Sequence, residues 1–337
     1  MTVFFQEQHA DKIGKEPLQS LIEGYVSFYA SGSSHTARAK QLDLNHFLNF
    51  LLSFRRKKSP KDLKVSDWDF SSVQRFVEDS LKAGESPATV ARRLATLKHM
   101  GRMLSEKFSG FINPARDVKA PKIAPAKPKS LEPNEIEQIR EAANKTITKN
   151  SGFIQKRNLT IFNFLLDTGL RADEIRLLRL NQIDDELTWI KDVRTKGRRF
   201  RNVYITSAMR EHLIKYLELR EKELSKFFKP LTNKTSKQLP LFISTFNAVP
   251  DKPDSFLLGA KTLWRSVRQL STDTKLHPHL LRHSFAIDLL EQSNDIRLVA
   301  QALGHSDVRV TMRYTERRDE EVAAALEKSR KNFKKSK

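Results

Sequence analysis

Along the first 110 residues, apolar positions recur three and four apart, the period of one face of an α-helix. Leu18, Leu21, Ile22, Tyr25, Val26 and Phe28 form one such stripe, and Leu42, Leu44, Phe47, Leu48, Leu51 and Leu52 a second. Two more run from Val73 to Leu81 and from Ala88 to Leu104. Asp67 or Asp69 can cap the first of these, and Ser86 followed by Pro87 can start the other. Four helices with short links predict a small bundle.

The helical period breaks at Pro114. From there to Pro133 five prolines fall in twenty residues, interleaved with Lys119, Lys122, Lys127 and Lys129. Proline at that density prevents regular helix and favours an extended, semi-rigid course. Residues 114–130 are therefore expected to link an N-terminal domain, residues 1–113, to a second domain, residues 131–337.

In the second domain, Pro133, Glu135, Ile136 and Ile139 open a helix. Leu159 to Leu166 reads as a buried helix running into Gly169, after which Arg171 begins another that carries Ile175, Leu178 and Leu180. Leu187 to Val193 and Phe200 to Ile205 alternate and are rich in β-branched and aromatic residues, with Thr195-Lys196-Gly197-Arg198 between them, so they predict a hairpin. Residues 229–238, mostly Lys, Thr, Ser and Asn, are expected to form a surface loop ahead of a short apolar element, Leu241-Phe242-Ile243. Helix returns from Leu257 to Leu270. The expected fold is mainly α, with a small β-sheet in the second domain only.

Composition narrows the function. The 337 residues carry a formal net charge of +21 and an isoelectric point near 10.0, an excess that attracts polyanions and favours nucleic acid. There is no cysteine, which excludes a disulfide framework and cysteine-based zinc sites. No apolar run approaches the roughly 18 residues of a membrane span, and the first residues lack a signal-peptide pattern. A cytoplasmic, nucleoid-associated protein is expected. The basic residues of the N-terminal helices, Arg38, Lys40, Arg55, Arg56, Arg92, Arg93, Lys98 and Arg102, are of one sign and are expected to meet DNA phosphates, as are Arg198 and Arg199 beside the hairpin turn.

The densest chemistry lies between His277 and Tyr314. With Pro278 at the first helical position, His279 and Arg282 stand one turn apart on a single face. Asn294 or Asp295 can cap a further helix containing Ile296, Val299, Ala300 and Leu303, which Gly304 would stop. His305 then emerges just past a helix end, with Tyr314 nine residues on. Taken singly, each is more often an ordinary surface or satisfied polar residue. Together, two histidines, an arginine and a phenol suit a phosphate.

Two boxes carry a family resemblance. Residues 277–316 resemble the second signature box of the tyrosine recombinases, the phage-type integrases, and most closely their simple bacterial Xer-like members. Thr168-Gly169-Leu170-Arg171-Ala172-Asp173-Glu174-Ile175 resembles the first box. The resemblance implies a six-residue active site of Arg171, Lys196, His279, Arg282, His305 and Tyr314, with no metal and no cofactor. It implies a SAM-like, core-binding N-terminal domain and a C-terminal helix that often docks on a neighbouring protomer. It implies site-specific strand exchange through a 3′-phosphotyrosyl intermediate, by a homo-tetramer (or an assembly with a related recombinase) on double-stranded DNA bearing inverted-repeat sites. Accessory DNA-bending or regulatory proteins can belong to such a system. Relatives of other function, nicking-rejoining enzymes like type IB topoisomerases or telomere resolvases, and inactive DNA-binding members, are the alternatives. Two positions depart from the pattern: Ser293-Asn294 stands where a glycine often ends the preceding helix, and Glu316 where a histidine is common.

Overall fold

The structure is a computed structural model that describes residues 13–30, 34–123, 130–146, 152–195, 199–305, 307–308 and 311–312. The chain divides into two compact units, Met1–Pro125 and Ala126–Lys337.

The first unit is built on α1 (Leu18–Ala30), α2 (Ser34–Phe54), α3 (Phe70–Lys82) and α4 (Pro87–Lys107). Both start signals of the second helix pair operate. The Asp69 carboxylate accepts the Ser72 amide at 2.8 Å, and Ser86 Oγ accepts that of Thr89 at 3.2 Å with Pro87 in the first turn, each satisfying an amide that the helix itself leaves unpaired. Phe47, Leu51, Val73, Val90 and Leu94 are buried in one core, each worth about 1.5–3 kcal/mol of transfer free energy if fully removed from water. Ala115 and Val118 belong to the same core. Asn113 fastens this segment, donating to the Lys98 carbonyl at 2.9 Å and accepting the Ala115 amide at 3.0 Å. The first prolines of the expected linker thus lie in a segment folded onto the bundle, because apolar residues between them find a core.

The second unit contains α5 (Pro133–Thr146), α6 (Phe153–Thr168), α7 (Ala172–Leu177), strands β1 (Trp189–Arg194) and β2 (Phe200–Tyr204), α8 (Ser207–Leu224), α9 (Asn233–Gln238), α10 (Ala260–Arg268), α11 (Pro278–Ser293) and α12 (Ile296–Leu303). Helix α6 is the centre: Ile161, Phe162, Phe164 and Leu165 are fully buried, and α8, α10 and α11 pack around it. The two strands form an antiparallel hairpin in which Ile190 faces Val203 and Val193 faces Arg201. Gly169 ends α6 at φ 58°, and a Cβ there would stand 2.3 Å from the Phe285 ring. Only glycine fits that approach. Asn294 takes the left-handed position after α11, φ 51°, which asparagine tolerates better than most residues. This accounts for the missing glycine.

Residues 229–238 are not the simple surface loop expected from their composition. Thr232 caps α9, and the fully buried Arg220 of α8 reaches into it, donating to the carbonyls of Ser236 and Pro240 at 3.0 and 2.9 Å and to Ser236 Oγ at 2.8 Å. A guanidinium with its donors satisfied does here what apolar periodicity does elsewhere. Among the described residues, no helix is long and apolar enough to cross a membrane.

Candidate active site

The site is assembled where α6, α7, α11 and α12 end or begin. Arg282, in the second turn of α11, is buried. Its Nη1 donates to the Gly169 carbonyl at 2.5 Å and its Nη2 to the Leu303 carbonyl at 2.8 Å. Those carbonyls lie at the C-terminal ends of α6 and α12, where helix dipoles concentrate partial negative charge. Arg171 is the N-cap of α7, and Glu174, three residues on, closes that first turn by accepting the Arg171 amide at 2.9 Å.

Glu174 also does more than cap. Its carboxylate, with a side chain only 6% exposed, accepts Arg171 Nη1 at 2.8 Å and both Nη atoms of Arg201 at 3.2 and 3.1 Å, and lies 3.9 Å from Arg282 Nη1. Burial alone would raise its pKa, but hydrogen bonds and charge from Arg201, with the hydrogen bonds from Arg171, outweigh it and hold the carboxyl below its usual range. One fixed anion is therefore shared by three guanidiniums, leaving an excess of positive charge at the site. Sequence reasoning passed over both Glu174 and Arg201.

His305 follows Gly304 at the end of α12. Its Nε2 lies 3.2 Å from Arg282 Nη2 and its Nδ1 2.8 Å from Thr311 Oγ1. An arginine can only donate, so in this arrangement Nε2 accepts and the ring proton sits on Nδ1, aimed at the buried threonine. Beside it, Gly304, Thr195, Arg199, Arg201 and Phe285 help line a cavity of about 910 Å³. Gly304 has φ +66°, and a Cβ there would come within 2.8 Å of Arg201 Nη1 and 2.9 Å of Thr195 Cγ2. Gly304→Ala is expected to destabilise the protein by about 1–2 kcal/mol from the left-handed backbone alone, more if the hairpin has to move. Urea unfolding measures it. An unchanged midpoint would contradict the close approach of hairpin and helix end.

Of the six residues the resemblance singles out, the structure brings Arg171 and Arg282 together at Glu174, with His305 against Arg282. His279 is in the first turn of α11, exposed. Lys196 and Tyr314 lie outside the described residues, as do Arg198, Glu316 and the segment expected to form the C-terminal helix. Thr195 and Arg199 bracket Lys196: the Thr195 amide and hydroxyl both donate to the Arg199 carbonyl, at 2.7 and 3.1 Å.

The basic residues of the first unit divide by helix face. Arg38, Arg56, Arg92 and Arg102 are exposed, as is Arg199 in the second unit. Arg92 nonetheless pairs with the buried Asp43. Arg93, one position on, is buried and bound to Glu85 at 2.6 Å, so it is a tie between α4 and the loop before it rather than a surface cation. Arg55 is half-buried and paired with Asp69 at 2.7 Å. Lys40 donates to Tyr25 Oη at 2.8 Å and lies over the Tyr29 ring, and burial draws its pKa down against the pull of Asp43. Lys98 is half-buried on α4.

Known proteins match this architecture along nearly its whole length. The profile of the Phage integrase family covers residues 129–321, and that of the phage integrase N-terminal SAM-like domain covers residues 22–107. Tyrosine recombinase XerC of Alcanivorax borkumensis is 34% identical over 251 residues, 74% of this chain and 76% of the relative. XerC of Thermodesulfovibrio yellowstonii is 30% identical over 86% of this chain and 88% of its own, and XerD of Staphylococcus epidermidis is 28% identical over 88% and 94%. Among solved structures, XerH in a post-cleavage complex with palindromic difH DNA superposes with TM-score 0.66 at 20% identity, over 91% of this chain and 83% of that one. A lambda integrase dimer on a core site gives 0.62 at 16%, over 90% and 78%. These likenesses support the mainly helical fold with its small sheet. The chain belongs to the phage integrase family and is a tyrosine site-specific recombinase.

Proposed function

We propose that the protein exchanges DNA strands between two copies of an inverted-repeat site through a 3′-phosphotyrosyl intermediate, with no metal and no ATP. The observation that carries this reading is the Arg171–Glu174–Arg282 cluster, with Arg282 buried and His305 at its edge. Two planar guanidiniums held in place before substrate arrives suit the two non-bridging oxygens of a phosphodiester. Tyr314 supplies the nucleophile: its oxygen bonds to phosphorus, the bond from phosphorus to the 5′ oxygen breaks, and Lys196 gives that oxygen a proton. His279 assists proton transfer with the tyrosine. His305 steadies the phosphate, and donating from Nε2 requires either the protonated ring or the other tautomer. The new ester keeps the energy of the old one, so attack by a different 5′-hydroxyl reseals the strand.

The XerH and lambda integrase structures are of DNA complexes, and the exposed arginines of α2 and α4 fit the same kind of partner here. A cytoplasmic tetramer spanning two duplexes follows from strand exchange between two sites, with accessory proteins as additional partners. A plasmid bearing two copies of its inverted-repeat site, incubated with the protein and a chelator in the absence of nucleotide, should yield deletion or inversion products. Relaxation without any exchange would favour a nicking-rejoining enzyme, and loss of activity in chelator would overturn the metal-free chemistry.

A further inference from the structure

Arg201 has no part in the chemistry assigned to Arg171, Lys196, His279, Arg282, His305 and Tyr314, yet it is committed to the centre of the site. Both its Nη atoms bind the Glu174 carboxylate. Its side chain is 9% exposed, and its Nε has no hydrogen-bond partner among the described residues. Burying a guanidinium with a donor unmatched is costly, and a well-packed apolar side chain of similar size is often as stable or more so. Folding alone gives little reason for an arginine here.

Its place in the chain suggests the reason. Arg201 lies on β2 opposite Val193 of β1, two residues from Arg199, whose carbonyl the Thr195 amide and hydroxyl hold on the other side of residues 196–198. It is also within van der Waals reach of Gly304, immediately before His305. One guanidinium thus joins the hairpin stem, the carboxylate that orients Arg171, and the helix end that presents His305.

We propose that Arg201 is a positioning residue: it pins the β1–β2 hairpin to Glu174, and the reaction step that depends on Lys196, carried between the two strands in sequence, depends on that pin. The inference rests on Lys196 being the acid that protonates the leaving 5′ oxygen. A displacement of about 1 Å at a catalytic group can cost about 10²-fold in rate, so a lost pin should show mainly in the step that needs Lys196.

The test compares Arg201→Met, Arg201→Lys and Lys196→Ala in single-turnover cleavage of two substrates, one ordinary and one with sulfur as the bridging 5′ atom. Sulfur leaves as a thiolate and needs no proton. Arg201→Met should cleave the ordinary substrate about 10²-fold more slowly than the parent but come within about tenfold of it on the sulfur substrate. Arg201→Lys, which keeps the charge and loses the fork, should fall between Met and the parent on the ordinary substrate and be rescued likewise. DNA affinity and the unfolding midpoint are measured in parallel. If sulfur rescues Lys196→Ala but neither Arg201 variant, Arg201 does not act through the lysine and the proposal is overturned. If sulfur fails to rescue Lys196→Ala, the acid assignment fails and the pin falls with it. Should Arg201→Met not fold, the sulfur rescue of Arg201→Lys decides alone.

Discussion

Tyr314→Phe is expected to bind its DNA site with unchanged affinity and to form no covalent complex. A phenol with an ordinary pKa of about 10 becomes a nucleophile at neutral pH only where cations stabilise its anion, a role the proposed function gives to the Arg171–Glu174–Arg282 cluster. Removing the hydroxyl deletes the proposed attacking atom alone. The sequence contains five tyrosines, and three of the other four are engaged elsewhere. Tyr25 and Tyr29 belong to the first unit, where both hydroxyls contact His99. Tyr216 is buried, donates to the Leu241 carbonyl at 3.1 Å, and burial pushes its pKa up to about 12. Tyr204 is the one competitor worth a control, since it lines the same cavity as His305. Gel electrophoresis after denaturation measures the adduct. An adduct that persists in Tyr314→Phe and disappears in Tyr204→Phe would move the nucleophile to the strand.

Lys196→Ala should cleave an ordinary substrate about 10² to 10⁴ times more slowly than the parent, the usual worth of general acid catalysis. The leaving group in attack by Tyr314 is a 5′ alkoxide, a strong base that departs slowly unless protonated as the bond breaks. With sulfur in the bridging position the leaving group is a thiolate, whose conjugate thiol has a reference pKa of about 8.5, and most of the lost rate should return. Arg171→Ala and Arg282→Ala should gain nothing from sulfur, because the role proposed for these arginines is to balance charge on non-bridging oxygens that the substitution leaves alone. Equal rescue of all three variants, or none for Lys196→Ala, would exclude the lysine as the acid and bring Arg194, Arg198, Arg199 or a histidine into question.

Much of this architecture is written in local signals. Asp69, the Ser86-Pro87 pair, Asp295 and Gly304 mark helix ends by the groups they satisfy, so the bundle and the last two helices of the described residues follow from the sequence. The hairpin follows from alternation. What alternation and period do not carry is the identity of partners across the fold. Glu174 is at the third position of a helix whose cap is Arg171, where a glutamate looks like ordinary capping, and nothing local says that Arg201, 27 residues on, shares it. Arg92 and Arg93 are adjacent in sequence, yet about 100° of helical rotation separates an exposed side chain from a buried one. The segment around α9 has no apolar stripe because its anchor is the buried Arg220. In each case a charged residue does structural work that hydrophobic patterns cannot register.

Arg282 holds the last carbonyls of two different helices, besides the phosphate contact proposed for it. In a scan that scores abundance and activity separately, this residue and Tyr314 should therefore part company. Substitutions at Tyr314 would yield an abundant, inert protein. Substitutions at Arg282 would reduce the amount of protein as well as its turnover, since the guanidinium neutralises two helix ends that would otherwise face each other unpartnered. An inactive variant intended to trap DNA complexes is thus better made at the tyrosine. Natural drift toward an inactive, purely DNA-binding descendant would also be expected to lose the phenol long before the arginine.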